Sequence, residues 1–458
     1  LFILGLSVYI YVPIAASRNP PINWDNAVNL KNFLHLLLRT DYGGITYTGK
    51  NIPVMVRIIN VIHYLKTLVS TFSYQILFVF LLGIIKLIKI DKRLALTMML
   101  AFLFTGALTF FYTAGPITVD VAWGIAERYY SVSTIILMFV VPYGFLIIKD
   151  FLNSKFSKPI YSNIILSYFL IISLLLFRYN FPKTDLSKTQ IGNTFARNIF
   201  SSLPKNSVLF VSGDNATFSI WYLYYVLKEG QDLDIINPSG VGNNIYLDKE
   251  LNDYYAKNPQ VELKNLVVKT FEAIRKKRRV FTLAEISPIP KGTKLIPKGL
   301  VLELVSDQDL PSEEEYLIDI EKIWQAVKVQ RRETLSLAED NFLASEIPSI
   351  YARALVQIGD FIRVQYGDSK TAEAYYKKAV WIDNMFSPAY FGLAISLISE
   401  NKNCNEAIKN IKIAISIYPT WKQYYYQQYQ IYKKCFADKK ILDNLRQEYR
   451  INFGNNMQ

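Results

Sequence analysis

Three short segments carry residue types able to hold a phosphate or a sugar. In Arg18-Asn19-Pro20-Pro21-Ile22-Asn23-Trp24-Asp25 the paired prolines fix an extended backbone. Arg18 offers a two-pronged donor to a phosphate. Asn23 supplies amide hydrogen bonds, and Trp24 a face on which a sugar ring can stack. The competing reading is an interfacial anchor, because Trp and Arg collect at membrane boundaries. In Glu127-Arg128-Tyr129-Tyr130 a charged pair opens an apolar run. A charge at a membrane edge is a functional candidate, and Arg128 suits the phosphate of a lipid-linked donor. The alternative places Glu127 in a first helical turn, favoured by the dipole, with Arg128 snorkelling to headgroups. In Ser212-Gly213-Asp214-Asn215-Ala216-Thr217-Phe218 an apolar strand pattern gives way to a helical one. Ligands of open α/β sheets bind beyond strand C-termini, and a helix N-terminus there attracts anions, although Asp214 opposes that. The simpler expectation is that Asp214 or Asn215 caps the helix. Asn215-Ala216-Thr217 also matches the N-glycosylation sequon.

Other chemistries are excluded by what the chain lacks. His35 and His63 are the only histidines and Cys404 and Cys435 the only cysteines, so neither zinc-ligand spacing nor a histidine-based triad exists. No GxGxxG and no Walker A loop is present. Neither a metal nor a cofactor is therefore expected, and chemistry must rest on carboxylates, arginines and their placement. The net charge of +13 is uneven, with a basic run at Arg275-Lys276-Lys277-Arg278-Arg279. A solvated helix C-terminus explains that run better than nucleic acid binding, since cations there complement the dipole.

The elements that position these residues are set by hydropathy. Of 458 residues 51% are hydrophobic and 19% charged, below the charge content of soluble domains. Uncharged runs occupy Leu1–Ser17, Thr67–Ile85, Leu94–Val119, Tyr129–Ile148 and Pro159–Phe177. A crossing helix needs roughly 17–25 apolar residues, which predicts about five spans within a membrane domain over 1–180. The chain opens inside the first run, so it reads as the C-terminal portion of a longer protein. Lys86, Lys89, Lys92 and Arg93, then Lys149, Lys155 and Lys158, make two loops basic and hence cytoplasmic. Everything after Phe177 then lies outside, in a cell membrane protein of multi-pass topology. Arg18–Lys66 would also be outside despite its basic residues, and reads as an interfacial segment.

Over 181–335 the pattern predicts a small α/β domain with some parallel pairing. Short strands are expected at Ser207–Gly213, Leu233–Asn237, Arg279–Leu283 and Leu300–Val305. Helices are expected at Gln190–Leu203, Ala216–Glu229 and Glu262–Lys277. Over 336–458 the chain turns helical and repetitive. Ala372, Tyr376 and Ala379 recur 35 residues later as Ala407, Ile411 and Ala414, near the 34-residue tetratricopeptide period. A degenerate third repeat ends near Phe453. Cys404 then begins one helix and Cys435 ends its antiparallel neighbour, the turn falling at Pro419-Thr420. Equal helix lengths bring the two thiols to the same height, which predicts a disulfide if this region is outside the cytoplasm.

GLSVYIYVPIAASRNPPINWDN (Gly5–Asn26), AERYYSVS (Ala126–Ser133) and VLFVSGDNATFSIWYLYYV (Val208–Val226) resemble a bacterial membrane family. It was long catalogued as domain-of-unknown-function family 2723, and its eukaryotic relatives are O-mannosyltransferases of receptor domains. The resemblance implies a GT-C type glycosyltransferase that moves a sugar, with mannose the candidate, from a polyprenyl-phosphate carrier to an extracytoplasmic protein. It also implies a catalytic carboxylate in the first outer loop, upstream of Leu1. The implied reaction is a single displacement in which Arg128 or Arg18 stabilises the departing lipid phosphate. Membrane lipids, the lipid-linked sugar, and an acceptor or envelope protein held by the repeats are the implied partners. Two rivals remain: a membrane-anchored repeat scaffold recruiting envelope partners, and a lipid-linked saccharide transporter.

Overall fold

The computed structural model describes residues 7–18, 20, 22–23, 26–38, 40, 54–112, 129–155, 160–237, 268, 272, 275, 278–285, 288–336, 344, 346–399 and 403–454. They fall into two compact units, Asn29–Asp185, and Leu1–Val28 with Leu186–Gln458. Helix α1 (Tyr11–Ala16) follows a 3-10 turn, Ser7–Ile10, and belongs to the latter. The described part of the first apolar run is thus shorter than a span.

The unit Asn29–Asp185 holds α2 (Leu30–Leu37), α3 (Val54–Ile90), α4 (Lys92–Thr105), α5 (Ala107–Tyr112), α6 (Tyr130–Lys155) and α7 (Ile160–Thr184). Asn29 caps α2 by accepting the Asn32 N–H at 2.9 Å. Asp91 caps α4 by accepting from the N–H groups of Arg93 and Leu94. Among the described residues three helices, Val54–Ile90, Lys92–Phe111 and Tyr130–Lys155, are long and apolar enough to cross a membrane. The fifth apolar run folds as the 25-residue α7. The stretch expected to lie on the membrane before Lys66 is corrected in part: from Val54 onward it is the first half of α3. That helix breaks at Ser73 (φ 64°, ψ 161°), a backbone region that side chains other than hydrogen rarely adopt. Helices α3 and α6 cross closely. A Cβ on Gly144 would lie 1.9 Å from the Val79 carbonyl oxygen, and one on Gly83 would lie 2.3 Å from that of Val140. An ion pair joins Lys86 to Asp150 at 2.6 Å.

The other unit contains a five-stranded mixed sheet. Its elements are α8 (Ile191–Ser201), β1 (Val208–Phe210), α9 (Asp214–Trp221), β2 (Asp234–Ile236), β3 (Val280–Thr282), β4 (Thr293–Lys298), β5 (Val301–Ser306) and α10 (Glu313–Ala326). The order is β2-β1-β3-β5-β4. β1 pairs parallel with β2 and β3, while β5 pairs antiparallel with β3 and β4. Alternate residues serve opposite faces. Leu209, Ile235 and Phe281 pack with Phe195 and Ile199 of α8, whereas Val208, Phe210, Ile236 and Val280 pack with Leu304. Strand β4 and helix α10 are additions to the expected set.

The basic run is also corrected. The expected helix Glu262–Lys277 lies largely outside the described residues, and its described members Val268, Glu272 and Arg275 are helical. Arg278 and Arg279 are ion-paired at the amino edge of the parallel strands. Arg278 reaches Asp234 and the carbonyls of Asn206 and Ser207. Arg279 grips Glu303 through two bonds of 2.6 and 2.8 Å, and Lys298 lies 3.5 Å from the same carboxylate. Glu303 is 5% exposed, and only such pairing makes a buried charge tolerable.

Three helical pairs complete this unit: α11 (Glu346–Phe361) with α12 (Ser369–Ile382), α13 (Ser387–Ser399) with α14 (Cys404–Ile417), and α15 (Lys422–Cys435) with α16 (Lys439–Phe453). Tyr376 is fully buried and sits against Gly359 and Gly392, where a Cβ would lie 2.8 and 2.5 Å from its ring. Cys404 and Cys435 form a disulfide across α14 and α15, with Cα atoms 5.9 Å apart. The α/β layer, the first helical pair and the start of α13 share one continuous core, and α14 packs in a second one with α13 and α15.

Candidate functional site

The parallel strands β1 and β3 end side by side, and the chain order switches between them. Such a switch point opens a crevice at the carboxyl edge of an α/β sheet. The backbone holds this edge firmly, because Val211 N–H donates to Ile236 O at 2.8 Å and Leu283 N–H to Phe210 O at 3.2 Å. Thr282 is buried, and its hydroxyl donates to Ala284 O at 2.7 Å, which turns the chain outward after β3.

Out of β1 the chain passes through Val211-Ser212 into α9. Here the expected cap is wrong. Gly213 (φ 80°, ψ 138°) is the N-cap, and no side chain caps the helix. The reversal from strand to helix needs a positive φ, which glycine adopts without strain, so Asp214 and Asn215 become the first two helical residues. Asp214 is exposed and lies in the first turn, where its charge complements the dipole. Asn215 turns away from the solvent: its Nδ2 donates to Glu346 Oε2 at the start of α11. The sequon asparagine is therefore engaged within the fold. With a carboxylate already at the helix N-terminus and exposed Glu285 after β3, this edge suits hydroxyl-rich or cationic groups over a phosphate.

Behind the edge, buried polar groups lock the layers. Asn198 on α8 is 4% exposed; its Nδ2 donates to Lys328 O at 2.8 Å and to the Tyr351 hydroxyl on α11, while its Oδ1 accepts the Lys328 N–H at 3.0 Å. Burial pushes the Tyr351 phenol well above its ordinary range, so it stays protonated. Arg332 holds Asp383 through both guanidinium nitrogens, the longer bond at 3.0 Å, and Ser349 donates to the same carboxylate. These pairs link residues 51 and 34 positions apart, and no local pattern announces them.

The other expected site residues are distributed as follows. Arg18 is exposed at the end of α1. Asn23 is buried, its Nδ2 donating to Ala16 O and to Asn26 Oδ1, both at 3.0 Å. Asn26 takes a positive φ of 43°, so the pair closes a tight turn after α1. Ile22 packs on the α/β core. Trp24, Glu127 and Arg128 lie outside the described residues. Among the described residues no cluster of His, Cys, Asp and Glu could hold a metal ion.

Residues 192–338 match the family model described as TMEM260-associated domain 2, a span that begins in α8 and ends beyond α10. The chain is 26% identical over 259 residues to "Protein O-mannosyl-transferase tmem260" of Dictyostelium discoideum, covering 51% of this chain and 31% of that protein. It is 23% identical over 258 residues to "Protein O-mannosyl-transferase TMEM260" of Mus musculus, covering 54% of this chain and 36% of that one. The chain thus spans about a third of the length of the curated relatives it matches. No solved structure matches.

Proposed function

We propose that this chain belongs to a membrane glycosyltransferase of the GT-C type that transfers a sugar, with mannose the candidate, from a polyprenyl-phosphate carrier to a protein outside the cytoplasm. The carrying observation is the union, in one chain, of three membrane-length helices with a region matching the TMEM260-associated domain. Both relatives above bear the name protein O-mannosyl-transferase. The Cys404–Cys435 disulfide supports placing the helical pairs outside, since such bridges persist in oxidising compartments. In this reading the pairs are tetratricopeptide-like repeats that dock the acceptor or an envelope partner.

The chemistry is a single displacement at the anomeric carbon. An acceptor Ser or Thr hydroxyl attacks, a carboxylate base takes its proton, and the lipid phosphate departs. Arg128, paired in sequence with Glu127, stabilises the departing phosphate. Arg18 is the second candidate, and Trp24 offers the sugar a stacking face. Asn23 shapes the turn that follows Arg18. No role as base is assigned to any of these residues.

The test uses membranes carrying the full-length protein, a polyprenyl-phosphate sugar labelled in the sugar, and a Ser/Thr-rich acceptor. Arg128→Ala should lower transfer about 100-fold, as loss of one transition-state donor does, without reducing membrane insertion. Arg128→Lys should recover only part, lacking the planar fork. Near-normal transfer by Arg128→Ala removes the residue from the site. Movement of the labelled lipid across the bilayer without transfer would replace the transferase by a transporter.

A further inference from the structure

Helix α3 has 37 residues and, at 1.5 Å per residue, a length of about 55 Å. The apolar layer of a bilayer is about 30 Å thick, so α3 is far longer than one crossing needs. Ser73, at φ 64° and ψ 161°, divides it into residues 54–72 and 74–90. The packing shows that the first part folds aside. Helix α4 runs back along α3 after the turn at Asp91, and Phe102 meets Phe80 with ring centroids 5.1 Å apart. Gly106 follows Phe102 by four residues, about 6 Å along the helix. On an unbroken α3, Tyr64 would stand 16 residues before Phe80, about 24 Å along the axis. The remaining gap of about 18 Å is beyond the reach of a tyrosine side chain. Yet the Tyr64 hydroxyl lies 2.3 Å from where a Cβ on Gly106 would sit. Its ring meets those of Phe110 on α5 and Tyr130 on α6, each at 5.4 Å, and Arg57 donates to Phe111 O at 3.2 Å. Residues 54–72 therefore bend at Ser73 and lie across α5 and the start of α6.

We infer that residues 54–72 lie in the plane of the membrane, at the boundary between acyl chains and headgroups, and that α3 crosses with residues 74–90 alone. The inference stands on the membrane reading of this unit. The 17 residues after the break reach about 26 Å, close to the shortest crossing helix. Charge divides at the same place. Residues 54–72 carry Arg57, His63 and Lys66, residues 74–85 carry no charge, and no acid occurs from Val54 to Ile90. Basic side chains on apolar stems reach anionic headgroups from that depth. Facing away from Tyr64, Met55 (66%), Ile58 (42%) and Leu65 (50%) are exposed, at spacings of three and seven that keep them on one helical face. Lipid covers this face, because the face continues within the unit onto the crossing part. Ile62, Leu65, Val69 and Tyr74 line one groove across the break with Lys66 and Ser70, and Phe78 and Leu81 beyond it are exposed in turn. In this arrangement the stretch expected before Lys66 to lie on the membrane does so as a helix, and it ends at Phe72.

The test places a nitroxide, one at a time, at Met55→Cys, Ile58→Cys and Leu65→Cys, and at Phe78→Cys, Leu81→Cys and Ile88→Cys, in the full chain. All six native side chains are exposed, and both native cysteines are in the disulfide, so the label goes only to the new thiol. The protein is reconstituted in vesicles of phosphatidylcholine and phosphatidylglycerol. Depth is read from relaxation by oxygen, which concentrates in lipid, against relaxation by a water-soluble nickel chelate. Each set spans ten residues, about 15 Å along a helix. Depth should change by about that distance from 78 to 88 and stay within a few ångströms from 55 to 65. A gradient of equal size in the first set would overturn the inference, showing that α3 crosses upright throughout. Full chelate access at 55, 58 and 65 would place the face in water, and shielding from both reagents would place it under protein; either overturns it. Absence of a gradient in the second set would remove the membrane reading of α3 and the inference with it. Three positions in each set keep the comparison decisive when one variant does not insert. No arm depends on sugar transfer, so loss of the transferase reading would leave the outcome intact.

Discussion

Reduction of the Cys404–Cys435 bridge should loosen the last two helical pairs and leave the sheet untouched. The bridged cysteines are 31 residues apart in sequence, and closing a loop of that length removes about 3–4 kcal/mol of unfolded-chain entropy. The bridge ties the start of α14 to the end of α15, whose remaining contact is an apolar seam of Ala407, Ile411 and Ala414 with Tyr424 and Ile431. No second crosslink holds the pair among the described residues. Hydrogen exchange in α14 and α15 proceeds by local opening, so reduction should lower protection there by about two to three powers of ten. The strands β1 and β3, whose core is built from Leu209, Phe281, Phe195 and Ile199, should exchange as before. The assay is exchange mass spectrometry on oxidised and reduced protein, repeated with Cys404→Ser/Cys435→Ser to separate bridge loss from reductant effects. Equal protection in the two states would refute the loop-entropy reasoning. A uniform fall that includes the sheet would refute the claim that the effect is local. Two free thiols in protein taken from its native membrane would remove the support the bridge gives to an outside location.

Glu303→Ala should destabilise the α/β layer by about 1.5–3 kcal/mol, because it removes the charge-assisted bonds to Arg279 and Lys298, while Arg279 stays half exposed and Lys298 keeps Asp319; a loss below about 1 kcal/mol in denaturant unfolding would show that water replaces the lost partner. Gly144→Leu should abolish the detergent-stable form of the membrane unit, since its Cβ falls within 1.9 Å of the Val79 carbonyl oxygen. Leu146→Ala, at a 43% exposed position on the same helix, should be nearly silent in the same thermal assay. The Arg197 guanidinium holds the Glu229 carboxyl below its ordinary 4.5, so this pair stabilises the fold above that value and ceases to do so as pH falls through the lower folded value. Both side chains are substantially exposed, which limits the effect to about 0.5–1 kcal/mol. Arg197→Ala should therefore lower the melting point slightly at neutral pH and not at all in strong acid.

The features legible in the sequence are those carried by local periodicity. Ala372, Tyr376 and Ala379, and their counterparts Ala407, Ile411 and Ala414, were read from spacing alone, and all six are fully buried. The four expected strands lie where the apolar runs are, three trimmed to their hydrogen-bonded centres and the fourth shifted by one residue to Val301–Ser306. β4 was missed because Thr-Lys-Leu-Ile-Pro-Lys carries two lysines and a proline. It is an edge strand paired only with β5, where a missing N–H and solvent-facing charge are tolerated. Helix α10 did leave a signal. Ser312 and Glu315 form a reciprocal capping box, and the three acids after Ser312 complement the dipole.

The candidate site was half legible, and the half that was not follows from how it is built. Its strand-to-helix turn is local, so the Ser212–Asn215 segment could be placed at the carboxyl edge from pattern alone. Its geometry is not local. Glycine's freedom at positive φ moved the cap to Gly213, and Asn215 is claimed by Glu346, which lies 131 residues away. That distant claim alters the chemistry. An asparagine that caps a helix is spent on its own backbone, whereas Asn215 spans the α/β layer and the first helix of the pairs. The Asn198–Tyr351 and Arg332–Asp383 contacts span the same two layers from behind. Three polar links thus tie the α/β layer to the first helical pair and to Asp383 just after it. Asn215→Ala should therefore free the start of α11, read as faster hydrogen exchange at that helix terminus with the strands β1 and β3 unchanged.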